Sequence, residues 1–122
     1  MTILVGREQK LTGPKVNNAG GGTAQGISLL DLSAADVQRG FAVNTYSTLY
    51  AVQAVAPHMP RGGRIVNIGS VVSRVRNAPG LAVYGASKAA QEYLTGAMSY
   101  EVSFLTAFLP CLRTRTTLTR SV

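Results

Sequence analysis

The stretch Gly62-Gly63-Arg64-Ile65-Val66-Asn67-Ile68-Gly69-Ser70 constrains this chain more than any other. It is short, Val/Ile-rich and bounded by glycines, which is the pattern of a strand buried on both faces of a parallel sheet. Parallel neighbours cannot be joined by a tight turn and need a crossover, so an α/β fold is expected. In that fold Arg64 to Gly69 forms a central parallel strand of a three-layer arrangement, flanked by a helix around Asn44 and a helix after Tyr84. A serine at the carboxyl end of such a strand points into the crevice where open α/β sheets bind ligands, so Ser70 is a candidate for holding a substrate oxygen.

One loop further on stands Tyr84-Gly85-Ala86-Ser87-Lys88. Residues four apart on a helix share a face, so the Lys88 ammonium can lie beside the Tyr84 phenol. A neighbouring positive charge favours the phenolate and draws the phenol from its ordinary value near 10 toward neutrality, where proton transfer is efficient. Tyr84 is therefore a candidate acid/base. Two common residues at helical spacing are also what any solvated helix face offers, and the surrounding motifs decide between these readings. Ser73 is a rival to Ser70 for the polarising hydroxyl, but it lies further past the strand end. Val71 to Val83, with Asn77, Pro79 and Gly80, reads as a loop.

Upstream, Leu29 to Pro57 reads as a helix with a short approach. Ser33-Ala34-Ala35-Asp36 is a capping sequence, Val37, Phe41, Asn44, Thr48 and Val52 fall on one stripe, and Pro57 ends the helix. Asn44 within that stripe is either a satisfied core amide or a functional group. Asn17-Asn18-Ala19-Gly20 reads as a simple turn or as a place where small residues let backbone approach a ligand. Tyr84 to Glu101 continues as a helix whose small residues permit close packing. Val102 to Cys111 follows as a candidate further strand.

With 122 residues and 46% hydrophobic content the chain forms one domain at most. The net charge of +7 admits nucleic acid or a phosphate-bearing ligand, yet the arginines are dispersed without interleaved aromatics, so no nucleic-acid partner is expected. A single cysteine, Cys111, excludes an internal disulfide framework and a Cys-based zinc site and suits a reducing compartment. His58 has no second histidine or nearby cysteine and reads as a surface residue. No apolar run approaches a membrane span, so a cytoplasmic protein with no membrane partner is expected.

In order, Asn17-Asn18-Ala19-Gly20, Phe41-Ala42-Val43-Asn44, Gly62 to Ser70 and Tyr84 to Lys88 resemble the short-chain dehydrogenase/reductase family, from about Asn17 to Glu101. The resemblance implies a Rossmann-like doubly wound parallel sheet and an NAD(P)-dependent hydride transfer between the nicotinamide cofactor and a small carbonyl or alcohol substrate. It implies that Tyr84 gives or takes the proton, Lys88 lowers its pKa and holds the ribose, Ser70 fixes the carbonyl oxygen and Asn44 holds a relay water. On the cofactor side it assigns Asn18, Ala19 and Gly20, together with Tyr84, Lys88 and, in a shifted register, Thr114. It also implies a homo-oligomer built on the Asn44 helix and the Tyr84 helix. The cofactor is NADP or NAD, and the basic balance tilts the expectation toward NADP.

The departures from that pattern matter as much. No G-x-G-x-x-G turn occurs in any register, the strand before Asn17 is shortened to Pro14-Lys15-Val16, and Pro110-Cys111 stands where the family has Pro-Gly. The sheet is therefore expected to be incomplete, with the first βαβ unit and the C-terminal part missing and residues 1–122 forming a single partial domain. Without a glycine-rich turn to receive the pyrophosphate, the chain alone is expected to bind dinucleotide poorly and to turn over little. The alternative function is a non-catalytic remnant that keeps the scaffold and the oligomer surface.

Overall fold

The computed structural model describes residues 15–60, 63–75 and 77–105. Two three-residue strands, β1 (Lys15–Asn17) and β2 (Ile65–Asn67), pair in parallel with Lys15 opposite Ile65, Val16 opposite Val66 and Asn17 opposite Asn67. The glycine-bounded Val/Ile run thus does form a parallel strand, although its regular part is shorter than Arg64 to Gly69. Main-chain bonds from Lys15 N to Arg64 O (2.9 Å) and from Ile68 N to Asn17 O (3.1 Å) continue the ladder at both ends.

Between the strands, a 3₁₀ turn (Leu29–Asp31) leads into α1 (Ala34–Phe41), which runs through a π turn (Ala42–Tyr46) into α2 (Ser47–Val55). The Ser33 cap forms as its sequence requires. Its hydroxyl accepts the Asp36 N–H (3.2 Å), the Asp36 carboxylate accepts the Ser33 N–H (3.2 Å), and two otherwise orphaned donors are satisfied. Pro57 lacks an N–H and closes the helix in a 3₁₀ turn (Ala56–His58). After β2, a 3₁₀ turn (Val71–Ser73) precedes α3 (Ala82–Leu105).

Three expectations need correction. The helices do not flank the strand on opposite sides: α1, the π turn and α3 pack against one another, and Asn67 reaches Thr95 of α3 across the same face of the sheet (3.0 Å). Among the described residues nothing covers the other face, so Val16 (57% exposed), Val66 (38%) and Ile68 (42%) are open rather than buried on both sides. Val102 to Leu105 do not begin a strand; they continue α3, because no glycine or proline breaks the helix after Glu101. The remainder of that expected strand, with Cys111, lies outside the described residues.

The packed interior is polar for its size. Ala51, Val52, Ala56 and Val83 are its buried apolar members, while Asn44, Thr45, Thr48, Ser87, Lys88 and Gln91 are equally withdrawn from water. Each of these six has a hydrogen-bond partner, as burial of polar groups demands. The helices approach closely at Gly40, where a Cβ would lie 2.3 Å from Val83 Cγ1 and 3.0 Å from Thr23 Oγ1. An alanine in a free helix would stabilise by about 1 kcal/mol over glycine. Here overpacking reverses the sign, so Gly40→Ala is expected to destabilise by about 1–3 kcal/mol in urea unfolding. Val83→Ala, which removes the obstructing methyls, should recover part of that loss in the double variant, and additive losses would show that the close approach is misread.

Candidate active site

The segments that follow β1 and β2 both meet the first turns of α3 at Lys88, and the predicted residues distribute around that junction unequally. Asn18, Ala19 and Gly20 follow β1 as exposed backbone with small side chains. Gly20 is where they meet the helices, since a Cβ there would lie 3.0 Å from Asn44 Oδ1 and 3.1 Å from Lys88 Nζ. Gly20, Asn44 and Lys88 are thus brought together, and glycine's missing side chain is what allows it.

Asn44 is fully buried in the π turn, and its amide is used completely. Nδ2, which carries two hydrogens, lies within hydrogen-bond distance of Gly21 O (3.0 Å), Gly40 O (3.1 Å) and Ser87 Oγ (3.1 Å), so that one hydrogen is shared, while Oδ1 accepts the Gly21 N–H (3.0 Å). The donation to Gly40 O, one turn back in the same helix, accompanies the local change from α to π winding, and single π turns of this kind are frequent at functional sites. Asn44 therefore ties three segments: its own helix, the loop after β1 and α3.

Lys88 is also buried, and its ammonium donates to Ile68 O (2.9 Å) and to Gln91 Oε1 (2.9 Å). Burial pushes its pKa below the ordinary lysine value, because removal from water disfavours the charged form. Tyr84 lies one turn earlier on α3, half-buried. Among the described residues no hydrogen bond joins its hydroxyl to Lys88 or Ser70, so the pair shares a helix face without touching through a hydrogen bond.

Ser70 lies three residues past the end of β2, half-buried, as the cap of the Val71–Ser73 turn, where its hydroxyl oxygen accepts the Val72 N–H (3.3 Å). The turn rests on α3 at Gly85, whose absent Cβ would sit 3.1 Å from Val72 O. Ser73 is engaged differently: its Oγ is 2.7 Å from Ser70 O and 3.0 Å from Glu92 Oε2, and Glu92 also pairs with Arg74. A hydroxyl has one proton, so Ser73 spends its donor inside the protein, while among the described residues Ser70 uses only acceptor capacity. Hydrogen bonds to Arg74 and Ser73 hold the Glu92 carboxyl below the usual range. Thr114 lies outside the described residues.

Sequence reasoning missed Gly21, Ser87, Thr48 and Gln91, which hold Asn44 and Lys88 in place. Gln91 carried a usable signal, since an uncharged polar residue three positions after Lys88 shares its helix face. Among the described residues there is no group of three or more His, Cys, Asp or Glu that could hold a metal ion, and no helix is long and apolar enough to cross a membrane.

Comparison with known proteins places this geometry in context. A family model described as short chain dehydrogenase matches residues 14–105. L-xylo-3-hexulose reductase of Hypocrea jecorina is 38% identical over 93 residues, which cover 72% of this chain and 30% of that protein. The structure of a short chain dehydrogenase from Burkholderia cenocepacia in complex with NADP superposes with a TM-score of 0.67 at 37% identity, covering 73% of this chain and 36% of that one. A 7α-hydroxysteroid dehydrogenase complexed with NADH and 7-oxo glycochenodeoxycholic acid superposes with a TM-score of 0.67 at 32% identity, covering 75% and 35%. The chain therefore spans about a third of the length of the proteins it matches. Over the segment that carries Gly20, Asn44, Ser70, Tyr84 and Lys88, it belongs to the short-chain dehydrogenase/reductase family of oxidoreductases, with an incomplete Rossmann-like fold.

Proposed function

We propose that this chain is the crevice-bearing part of an NAD(P)-dependent oxidoreductase that interconverts a small carbonyl and its alcohol, with residues 1–122 forming one partial domain. The observation that carries this reading is the convergence of Gly20, Asn44 and Lys88, in which a bare backbone position lies directly against a buried ammonium. That arrangement fits a nicotinamide ribose. Close approach is possible over Asn18, Ala19 and Gly20, and the ammonium has three N–H donors of which Ile68 O and Gln91 Oε1 take two. Thr114 is assigned to the same cofactor side. Solved relatives complexed with NADP and with NADH support a nicotinamide cofactor, and the net charge of +7 favours NADP.

The chain's own residues would divide the chemistry as follows. Ser70, whose proton has no acceptor among the described residues, donates to the substrate oxygen and fixes the carbonyl. Tyr84 gives its proton to that oxygen in reduction and takes one from the alcohol in oxidation. Lys88 holds positive charge one helical turn away and stabilises the phenolate left behind. Asn44, whose side-chain amide is committed within the protein, orients the loop after β1 through Gly21 and would hold the relay water through its main-chain oxygen. A bound nicotinamide supplies or accepts the hydride.

The outer faces of α2 and α3 support a homo-oligomer. Tyr50 (61% exposed) and Tyr93 (78%) lie there, and a C₂ pairing of these helices would cover them. Tyr93→Glu is expected to shift the protein toward monomer in light scattering, and an unchanged mass would exclude this face.

Two further outcomes are expected. Nucleotide fluorescence with NADPH or NADH should show binding in the millimolar range, weakened about tenfold by Lys88→Met through loss of a charged hydrogen bond. Any carbonyl-dependent oxidation should vanish in Tyr84→Phe while binding persists. Turnover surviving in Tyr84→Phe would remove the proton-donor role, and micromolar binding by the chain alone would show that a pyrophosphate site has been misread.

The second outcome concerns pH. Because the folded pKa of Lys88 is below the ordinary value of 10.5, the unfolded chain binds more protons in the interval between them, and stability rises with pH there. Urea unfolding of the wild type should therefore gain on Lys88→Met as pH climbs toward about 10.5 and level off above it. A gap independent of pH would show that the ammonium is not desolvated.

A further inference from the structure

Gln91 is the largest fully buried side chain among the described residues (1% exposed), and neither the phenol nor the hydroxyl chemistry above uses it. Its two ends do different things. Oε1 accepts from Lys88 Nζ (2.9 Å), while Nε2 donates to Thr48 Oγ1 (2.7 Å) on the neighbouring helix α2. Thr48 Oγ1 in turn donates to Asn44 O (3.4 Å), and Thr95 Oγ1 donates to the main-chain Gln91 O (2.7 Å). The amide is therefore held at both ends, and its orientation is set: exchanging O and N would aim an N–H at the ammonium and a carbonyl at a hydroxyl that already donates elsewhere.

We infer that Gln91 is a positioning residue for Lys88: braced on Thr48, its carbonyl oxygen and that of Ile68 clamp the ammonium and leave one N–H, beside Gly20, without a partner among the described residues. A lysine stem has four rotatable bonds, and ordering it in the interior loses side-chain entropy that fixed partners for its head must offset. Ile68 O and Gln91 Oε1 are those partners, and both belong to elements that cannot easily shift, the end of β2 and the buried seam between α2 and α3. No carboxylate shares the task. Among the described residues the one ion pair is Arg74 with Glu92, and the Glu92 carboxylate is engaged there and with Ser73. The clamp is thus neutral: it fixes the ammonium without cancelling its charge, which remains available to a ligand or to the Tyr84 phenolate. This role for Gln91 rests on the proposed role of Lys88 for its catalytic meaning, but the clamp can be measured without any ligand.

The experiment is trace acetylation of the full chain at fixed pH by acetic anhydride, with the Lys88 rate taken relative to Lys15 in the same sample by mass spectrometry. Gln91→Met removes the acceptor at similar volume and is expected to raise the relative rate about tenfold, since an ammonium loses one charged hydrogen bond. Gln91→Glu keeps the shape and adds a negative charge, so it is expected to lower the rate several-fold. Opposite signs are the signature, because a purely structural amide would loosen the helix seam in both variants and accelerate both. Thr48→Val, which unbraces Gln91 without touching it, should raise the rate in the same direction by a smaller factor and serves if Gln91→Met fails to fold. Rates that rise together in Met and Glu variants, or that do not move in any of the three, overturn the clamp. Reactivity that moves as expected in a protein that binds neither NADPH nor NADH leaves the clamp intact and removes the cofactor reading. Nucleotide binding with unmoved reactivity does the reverse.

Discussion

The seam between the Asn44 helix and α3 is the contact on which the rest of this structure depends. It is not sealed chiefly by apolar bulk: among the described residues the buried apolar side chains are Ala51, Val52, Ala56 and Val83, two of them alanines. Hydrogen bonds do the joining, from Asn44 to Ser87 Oγ, from Thr45 to Ser87 O (2.8 Å) and from Gln91 to Thr48. In a low-dielectric interior such bonds are strong when complete and costly when one partner is lost, so the seam admits essentially one register. That single register is what carries Lys88 to Gly20 and Ile68.

A polar seam of this kind has a functional consequence. A lysine head can be kept within the protein only if every neighbouring group tolerates it, and an all-apolar seam would exclude it. The amides of Asn44 and Gln91 are neutral, so they satisfy donors and acceptors without adding charge of their own. Lys88 is the buried charged side chain there, and small glycines at positions 20 and 85 let backbone segments approach the helix that carries it. The same economy explains the Val71–Ser73 turn. Ser73 and Glu92 hold its far side to α3, and among the described residues nothing accepts the Ser70 proton.

The two-stranded sheet supplies position more than stability. Asn17 and Asn67 lie opposite each other and bond through their side chains (2.7 Å), and Asn67 continues to Thr95, so the sheet is linked to α3 by an amide ladder. Val16, Val66 and Ile68 remain open on the other face. The sheet registers the Gly20 and Ser70 loops against each other, and the helices hold what those loops deliver.

Much of this was legible in the residues themselves. Gly62-Gly63 and Gly69 around a Val/Ile core specify a parallel strand, Ser33 with Asp36 specifies a helix start, and the four-residue step from Tyr84 to Lys88 specifies a shared face, because each is a local rule of backbone geometry. The order of these motifs was enough to indicate the family. Tertiary structure decided the rest: that both helices lie against each other instead of flanking the strand, that Asn44 spends its whole amide within the protein, that the Lys88 head meets Gln91 and Ile68 O and not the Tyr84 hydroxyl, and that α3 runs on to Leu105. Periodicity assigns a face to a side chain but cannot say which of several polar groups on that face its head will reach. That choice depends on which donors and acceptors from distant segments must be satisfied together once water is removed.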